Sequence, residues 1–143
     1  VEPGTQEASQ KLILLREQLK GSFSIVAPCF HRSTCGLLNK KDERNWCHFK
    51  APVPAEVFQI RFWKEYSERL HIDLRSLPVS YLVLSKDFNP NRTGTRVLAG
   101  SRFYKGYAQV IRCNQDGVQE VKLLERSRKK EIKKLKEELF LSL

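Results

Sequence analysis

The chain has 143 residues, of which 41% are hydrophobic and 29% are charged, and these proportions are typical of a globular domain. Its formal net charge of +10 predicts a polyanionic partner, because lysine and arginine release condensed counterions from phosphates. Nucleic acid is the first candidate for this partner, and an anionic membrane surface is the second. There is no apolar run of roughly 18 residues and no secretory signal peptide, which excludes a transmembrane helix within these residues and argues against a secreted, disulfide-stapled domain. The chain begins at Val1 and contains no methionine, so we expect it to be part of a longer protein.

The first half of the chain predicts alternating helices and strands. Thr5 is suited to cap a helix that ends before Gly21, and the short apolar run 23–27 is typical of a buried strand. Residues 55–70 predict a second helix whose broad aromatic face is expected to lie in the core, the alternative being a stacking platform for bases, and 77–85 predict a central strand. The first helix is expected to face the core with its leucines, Leu12, Leu15 and Leu19.

The second half predicts a small antiparallel β unit followed by a helix. Asn114-Gln-Asp-Gly117 is typical of a tight hairpin, because Asp-Gly supplies the positive φ angles that such a turn requires. The segment 125–139 predicts an exposed amphipathic helix whose many lysines and arginines either are solvated or bind phosphate. The strands predicted around the hairpin span 95–99, 107–113 and 118–124.

Basic and aromatic side chains are mixed in this β unit. Residues 88–115 contain no acidic residue, and Phe103, Tyr104 and Tyr107 lie among the basic positions. Such a mixture favours contact with an RNA backbone together with base stacking, and the alternative is an ordinary basic surface over an aromatic core. The candidate RNA-binding residues are Arg92, Arg96, Arg102, Lys105 and Arg112.

The stretch from Cys29 to His48 holds three of the four cysteines and two of the three histidines. Thiolates clustered on an irregular loop are typical ligands of zinc, copper(I) or an iron–sulfur cluster, and Cys113 is the only cysteine left as a fourth ligand. The spacing does not match the paired knuckles of a zinc ribbon or finger. An iron–sulfur cluster, a zinc site and inert buried cysteines all stay open, and His31 and His48 also allow a mixed Cys/His zinc site.

Short motifs in chain order, together with the basic C-terminal β unit, bring one family to mind. They resemble the methyltransferase-like proteins associated with the mitochondrial ribosomal small subunit and their bacterial relatives. The resemblance covers nearly the whole chain. The motifs are Glu2-Pro-Gly-Thr5, Val26-Ala-Pro-Cys29-x-His31, Cys35, Trp46-Cys47-His-Phe49 and Ser80-Tyr-Leu82.

The resemblance implies a fold of the α/β class. It implies the C-terminal half of a class I methyltransferase-like (Rossmann-like) domain over 1–90, a small antiparallel β unit over 91–125 and a charged C-terminal helix over 126–143. The family's S-adenosylmethionine loop would lie upstream, and no glycine-rich G-x-G element occurs in these residues. We therefore expect that this chain alone does not bind S-adenosylmethionine and that another segment or chain supplies the rest of the domain.

The resemblance also implies a function and a cofactor. The function is that of a small-subunit assembly factor that binds ribosomal RNA and meets ribosomal proteins, in the mitochondrial matrix or a bacterial cytoplasm. The alternatives are an active S-adenosylmethionine-dependent rRNA methyltransferase and a zinc-stapled RNA-binding module. No Ser/His/Asp triad or pair of acids indicates hydrolytic chemistry. The implied ligands of a [4Fe–4S] cluster, or alternatively of zinc, are Cys29, Cys35, Cys47 and Cys113.

Overall fold

The computed structural model describes residues 1–38, 45–51, 53–75, 77–88 and 94–140. Three helices and nine strands occur in these residues, together with a one-turn 3-10 helix at Ala55–Phe58. The helices are α1 Gln6–Leu19, α2 Arg61–Leu70 and α3 Glu125–Phe140. The strands are β1 Glu2–Pro3, β2 Ser24–Ala27, β3 Phe49–Ala51, β4 Leu77–Ser80, β5 Val83–Ser85, β6 Arg96–Val97, β7 Arg102–Tyr104, β8 Tyr107–Asn114 and β9 Gly117–Leu124.

The strands form three small sheets. One has the order β1-β4-β3, a second pairs β2 with β5, and the third joins β6, β7 and β9 to the long strand β8. Every strand pair that the described residues form is antiparallel. The mixed α/β class, the antiparallel β unit and the C-terminal helix are thus confirmed, whereas the parallel pairing expected of a Rossmann-like half is not seen in the described part of the chain.

The predicted strand 77–85 is divided between two of these sheets. β4 lies at the centre of the three-stranded sheet, and β5 leaves it to pair with β2. The chain changes sheets at Tyr81 and Leu82, which lie between the two strands. A continuous apolar run does not reveal such a break, because each half has the residue types of a buried strand.

Helix α1 begins as expected, with the Thr5 hydroxyl accepting a hydrogen bond from the Ala8 amide at 3.2 Å. Its buried side is not the leucine side. Ser9, Ile13 and Arg16 are the buried residues of the helix, and they lie on one face because they are four and three positions apart. Leu15 is 43% exposed, so the assignment of the leucines to the core is wrong at this position. Two polar side chains take the place of leucine because they bind the cysteine loop, as described below.

The second predicted helix is shorter than expected and its aromatic face is open. The 3-10 turn at Ala55–Phe58 precedes α2, and the two are separated by Gln59 and Ile60. Phe62, Trp63 and Tyr66 contact one another, but Phe62 is 59% and Tyr66 39% exposed. The expectation that this face lies in the core is therefore wrong within the described residues.

Successive side chains of β8 point to opposite faces of the four-stranded sheet. Ala108 and Val110 point to the first face and form a core with Leu123 and with Ile132 and Leu135 of α3. The alternate residues of β8 point to the second face, where Ile111 and Cys113 pack with the cysteine loop. Helix α3 is amphipathic as expected, and the hairpin between β8 and β9 is confirmed, with Asn114 paired to Gly117 and a φ of +113° at Gly117.

Candidate metal centre and basic sheet face

The four cysteines come from three separate parts of the chain and meet at one place. Cys29 follows β2, Cys35 lies in the turn after it, Cys47 precedes β3 and Cys113 lies near the end of β8. Cys29, Cys35 and Cys47 line one cavity, while Cys47 and Cys113 pack against the core cluster that contains Cys35. None of the four is in a disulfide. Residues 39–44 of the loop lie outside the described part of the chain.

Helix α1 binds the cysteine loop through its polar residues. The buried Ser9 hydroxyl accepts a hydrogen bond from the Cys47 amide at 3.1 Å, and the Cys47 carbonyl accepts one from the Ser80 hydroxyl at 2.8 Å. The Glu17 carboxylate accepts a hydrogen bond from the Cys35 amide at 3.0 Å. Backbone groups of two cysteines are thus held by side chains from the helix and from β4.

Arg16 is the most deeply buried charged residue of the helix, with 2% of its surface exposed. Its guanidinium donates hydrogen bonds to the carbonyls of His31, at 2.9 Å, and Ser33, at 3.0 Å, and it forms an ion pair with Glu17. Its Nε has no hydrogen-bond partner among the described residues. A buried charge is tolerated only when it is paired and hydrogen-bonded, and here the partners of Arg16 tie α1 to the loop between its first two cysteines.

The loop also touches the hairpin of the basic β unit directly. A methyl group at Gly36 would lie 2.7 Å from the Cα atom of Gly117 and 2.7 Å from the backbone nitrogen of Val118. Val118 is the cross-strand partner of Cys113. The absence of a Cβ atom at Gly36 therefore permits the backbone approach that brings Cys35 and Cys113 to the same core cluster.

The environment of the thiols is apolar and partly cationic. Burial raises the pKa of the Cys47 thiol, and the other three cysteines raise it further because each disfavours a second negative charge nearby. Burial also raises the pKa of the Cys35 thiol, while the positive charge of Arg16 acts in the opposite direction on both groups. The shared cavity is further lined by Leu12, Ile13, Pro28, Tyr81 and Leu82, which shield the thiols from water.

The two histidines of the loop differ in their contacts. His48 stacks on Trp46, with ring centroids 4.5 Å apart, and its Nδ1 lies 3.0 Å from the Trp46 carbonyl oxygen. Burial lowers the pKa of His31, whose two ring nitrogens have no hydrogen-bond partner of ordinary geometry among the described residues, although the Ser33 backbone favours its charged form to a smaller degree. In the described residues no group of three or more His, Cys, Asp or Glu side chains is arranged to bind one metal ion.

The five basic residues expected to bind RNA have different environments. Arg102 and Lys105 are exposed on the four-stranded sheet. Arg96 donates a hydrogen bond to the Pro28 carbonyl at 3.1 Å and lies 4.5 Å from the centroid of the Phe30 ring, so it ties the cysteine loop to the sheet. Arg112 forms an ion pair with Glu131 of α3. Arg92 lies outside the described residues.

The described residues thus define a small α/β protein in which four cysteines cluster where a helix-bound loop packs on a basic antiparallel sheet. A family model described as "Mitochondrial small ribosomal subunit Rsm22" matches residues 1–138, and the chain belongs to this family. The resemblance to a family of the mitochondrial small ribosomal subunit is therefore confirmed. No curated protein and no solved structure matches the chain. Within the described residues no helix is long and apolar enough to cross a membrane.

Proposed function

We propose that this chain is the RNA-binding part of a methyltransferase-like assembly factor of the mitochondrial small ribosomal subunit. Its four cysteines would hold a structural [4Fe–4S] cluster. The observation that carries the proposal is the meeting of Cys29, Cys35, Cys47 and Cys113 between the cysteine loop and the basic sheet. Family membership supports the ribosomal setting, and the net charge of +10 supports a polyanionic partner.

The residues present fit an iron–sulfur cluster in their donor chemistry. Four thiols are the usual ligand set of a [4Fe–4S] cluster, and the apolar residues around them would keep water from the sulfurs. The buried guanidinium of Arg16 lies beside the same cavity, its Nε has no hydrogen-bond partner in the described part of the chain, and its positive charge offsets the charge of deprotonated thiols. A single zinc ion requires thiolates about 3.8 Å apart around one point, as follows from a tetrahedral Zn–S distance of about 2.3 Å. The described side chains form no group of three or more ligands around one point, so the choice of the cluster over zinc rests on the family resemblance.

The role of such a group would be to join parts of the chain that are distant in sequence. Cys29, Cys35 and Cys47 belong to the half of the chain with α1 and the small sheets, whereas Cys113 belongs to the basic sheet. Direct contacts between the two parts, such as those of Gly36 and Arg96, support this role because they bring the cysteine loop against the sheet that carries Cys113. Four thiolate bonds would then hold the RNA-binding sheet in a constant position against α1.

Metal and acid-labile sulfide analysis of protein purified without oxygen tests this proposal. We expect roughly four irons and four sulfides per chain. Cys113→Ser should lose most of this iron because one ligand is removed, although it lies far along the chain. Leu14→Ser is the matched control, since it places the same side chain at an exposed helical position and should keep the iron.

Each other result of this measurement has a defined meaning. One zinc per chain without sulfide would show that the cysteines bind a single zinc ion and not an iron–sulfur cluster. Unchanged iron in Cys113→Ser would refute the four-ligand arrangement. Absence of any metal from the wild-type chain would mean that the four cysteines are inert core residues. In a separate binding assay, absence of RNA binding at low salt would refute the proposed function itself.

A further inference from the structure

Two rows of side chains cross the open part of the second face of the four-stranded sheet. The cross-strand register places Arg102, Gln109 and Lys122 in one row, and Tyr104, Tyr107 and Leu124 in the next. Residues directly opposite in an antiparallel sheet share a face, and residues two apart on a strand share it as well. A row that contains two cations therefore runs beside a row that contains two aromatic rings, and the two rows are about 7 Å apart in the direction of the strands.

The two tyrosines form a stack that is open to solvent on one side. Their ring centroids are 4.8 Å apart, and the planes are inclined by 20°. Tyr107 is half-buried and has the Lys122 ammonium 4.4 Å from its ring centroid, whereas Tyr104 is 41% exposed. Tyr104 is thus the exposed end of the pair, where one more planar group could be added to the stack.

The surroundings of this stack are mainly cationic. Arg102, Lys105 and Lys122 are exposed around the two rings, and Lys105 lies in the turn between the two tyrosines. The carboxylate of Glu120, one row further along the same face, accepts a hydrogen bond from Gln109. Glu125 is exposed beside the turn, where its amide donates to the Gly106 carbonyl at 2.9 Å. The three positive charges around the tyrosine pair outnumber these two carboxylates, so the surface favours a polyanionic ligand.

We propose that this face binds a single-stranded segment of RNA, with one base stacked on Tyr104 and the adjoining phosphates on Arg102 and Lys122. The inference rests on the proposed function and names the kind of RNA that the sheet binds. An unpaired base is required because the bases of a duplex are stacked on one another and cannot add to the tyrosine pair. The basic residues differ from those expected from the sequence, because Arg96 and Arg112 have intramolecular partners and Lys122 is added, whereas Tyr104 and Tyr107 are already expected from the sequence to stack on bases.

The same face also connects this surface to the cysteines. Beyond Arg102 and Gln109 comes Ile111, and then Cys113 paired with Val118, where the cysteine loop covers the sheet. The RNA surface is the uncovered continuation of the face on which the loop packs. A change in the loop can therefore alter this surface without any contact between RNA and the cysteines.

Fluorescence anisotropy with labelled RNA tests the inference on the full chain purified without oxygen. The probes are an unstructured single strand and a blunt duplex of the same sequence. Tyr104→Ala should weaken binding of the single strand by about 5- to 150-fold, the range expected for loss of one stacked base. Tyr104→Phe should retain binding because the ring is kept. Tyr66→Ala, which removes a ring of similar exposure from α2, is the matched control and should have no effect.

The salt dependence separates phosphate contacts from stacking. Arg102→Gln and Lys122→Gln should each reduce the slope of log K against log salt by about 0.7, the value for one phosphate of a single strand, whereas Tyr104→Ala should leave the slope unchanged. Equal affinity for duplex and single strand, or an unaffected Tyr104→Ala, would overturn the inference while RNA binding remains. Loss of binding to ribosomal proteins but not to RNA in Tyr104→Ala would also overturn it, by making this face a protein-docking surface.

Discussion

Replacing Gly36 by alanine tests whether close backbone contact joins the cysteine loop to the hairpin. The added methyl carbon would lie 2.7 Å from both the Gly117 Cα atom and the Val118 nitrogen. Carbon atoms in contact prefer separations of about 3.5–4.0 Å, so the loop or the hairpin must retreat by about 1 Å. Both partners are backbone atoms of a paired turn, which cannot rotate away as a side chain can.

The expected cost of this retreat follows from the energetics of overpacked cores. A misfit of one methyl group typically lowers the free energy of unfolding by about 1–3 kcal/mol. For a chain of this length such a loss corresponds to a decrease in Tm of roughly 3–10 °C. The same movement separates Cys35 from Cys113, so Gly36→Ala should also bind less iron than the wild-type chain.

Thermal unfolding followed by circular dichroism, with iron analysis of the same samples, measures both effects. Gly21→Ala is the matched control, since a methyl group there meets no atom within 4 Å, and its Tm should equal or slightly exceed that of the wild type. If Gly36→Ala and Gly21→Ala unfold at the same temperature and retain the same iron, the contact does not hold the loop and the reasoning fails.

Three other substitutions test separate parts of the structure. Arg16→Gln should lower the free energy of unfolding in urea by about 3 kcal/mol, because two loop carbonyls lose a buried cationic donor; a loss below about 1 kcal/mol would show that the network adds little. Arg96→Lys should lower Tm but keep the salt slope of RNA binding, because its guanidinium binds Pro28; a changed slope would return Arg96 to the RNA surface. Ile132→Ala should lower the free energy of unfolding by about 3 kcal/mol, and the exposed control Leu14→Ala by less than about 0.5; similar values for both would contradict the packing of α3 on the sheet.

The local features of the fold could be predicted from the sequence because they depend on a few neighbouring residues. The hairpin at Asn114–Gly117 needs only a residue that accepts positive φ, and the start of α1 needs only the Thr5 hydroxyl. The amphipathic pattern of α3 likewise places Ile132 against the sheet. Each of these features is encoded within about one turn of chain.

The polar core of the candidate site could not be found in the same way. Ser9, Ile13 and Arg16 lie at helical spacing, but apolar periodicity selects the leucines beside them. Serine and arginine are buried here because the cysteine loop supplies amides and carbonyls that need partners, and those partners are distant in sequence. The sequence signal for this face of α1 is the helical spacing of Ser9 and Arg16 with Ile13, which a search for apolar residues alone does not select.

The division of the basic residues shows why composition alone does not locate a binding surface. Arg96 and Arg102 both lie in a stretch without acidic residues, yet one stacks on Phe30 at the cysteine loop and the other is exposed. The register of β8 decides between them. Arg96 pairs with Cys113, at the end of the face that the loop covers, and Arg102 pairs with Gln109, at the end that is open. One sheet face thus carries both the packing site of the cysteine loop and the exposed residues of the proposed RNA surface, and Ile111 lies between the two.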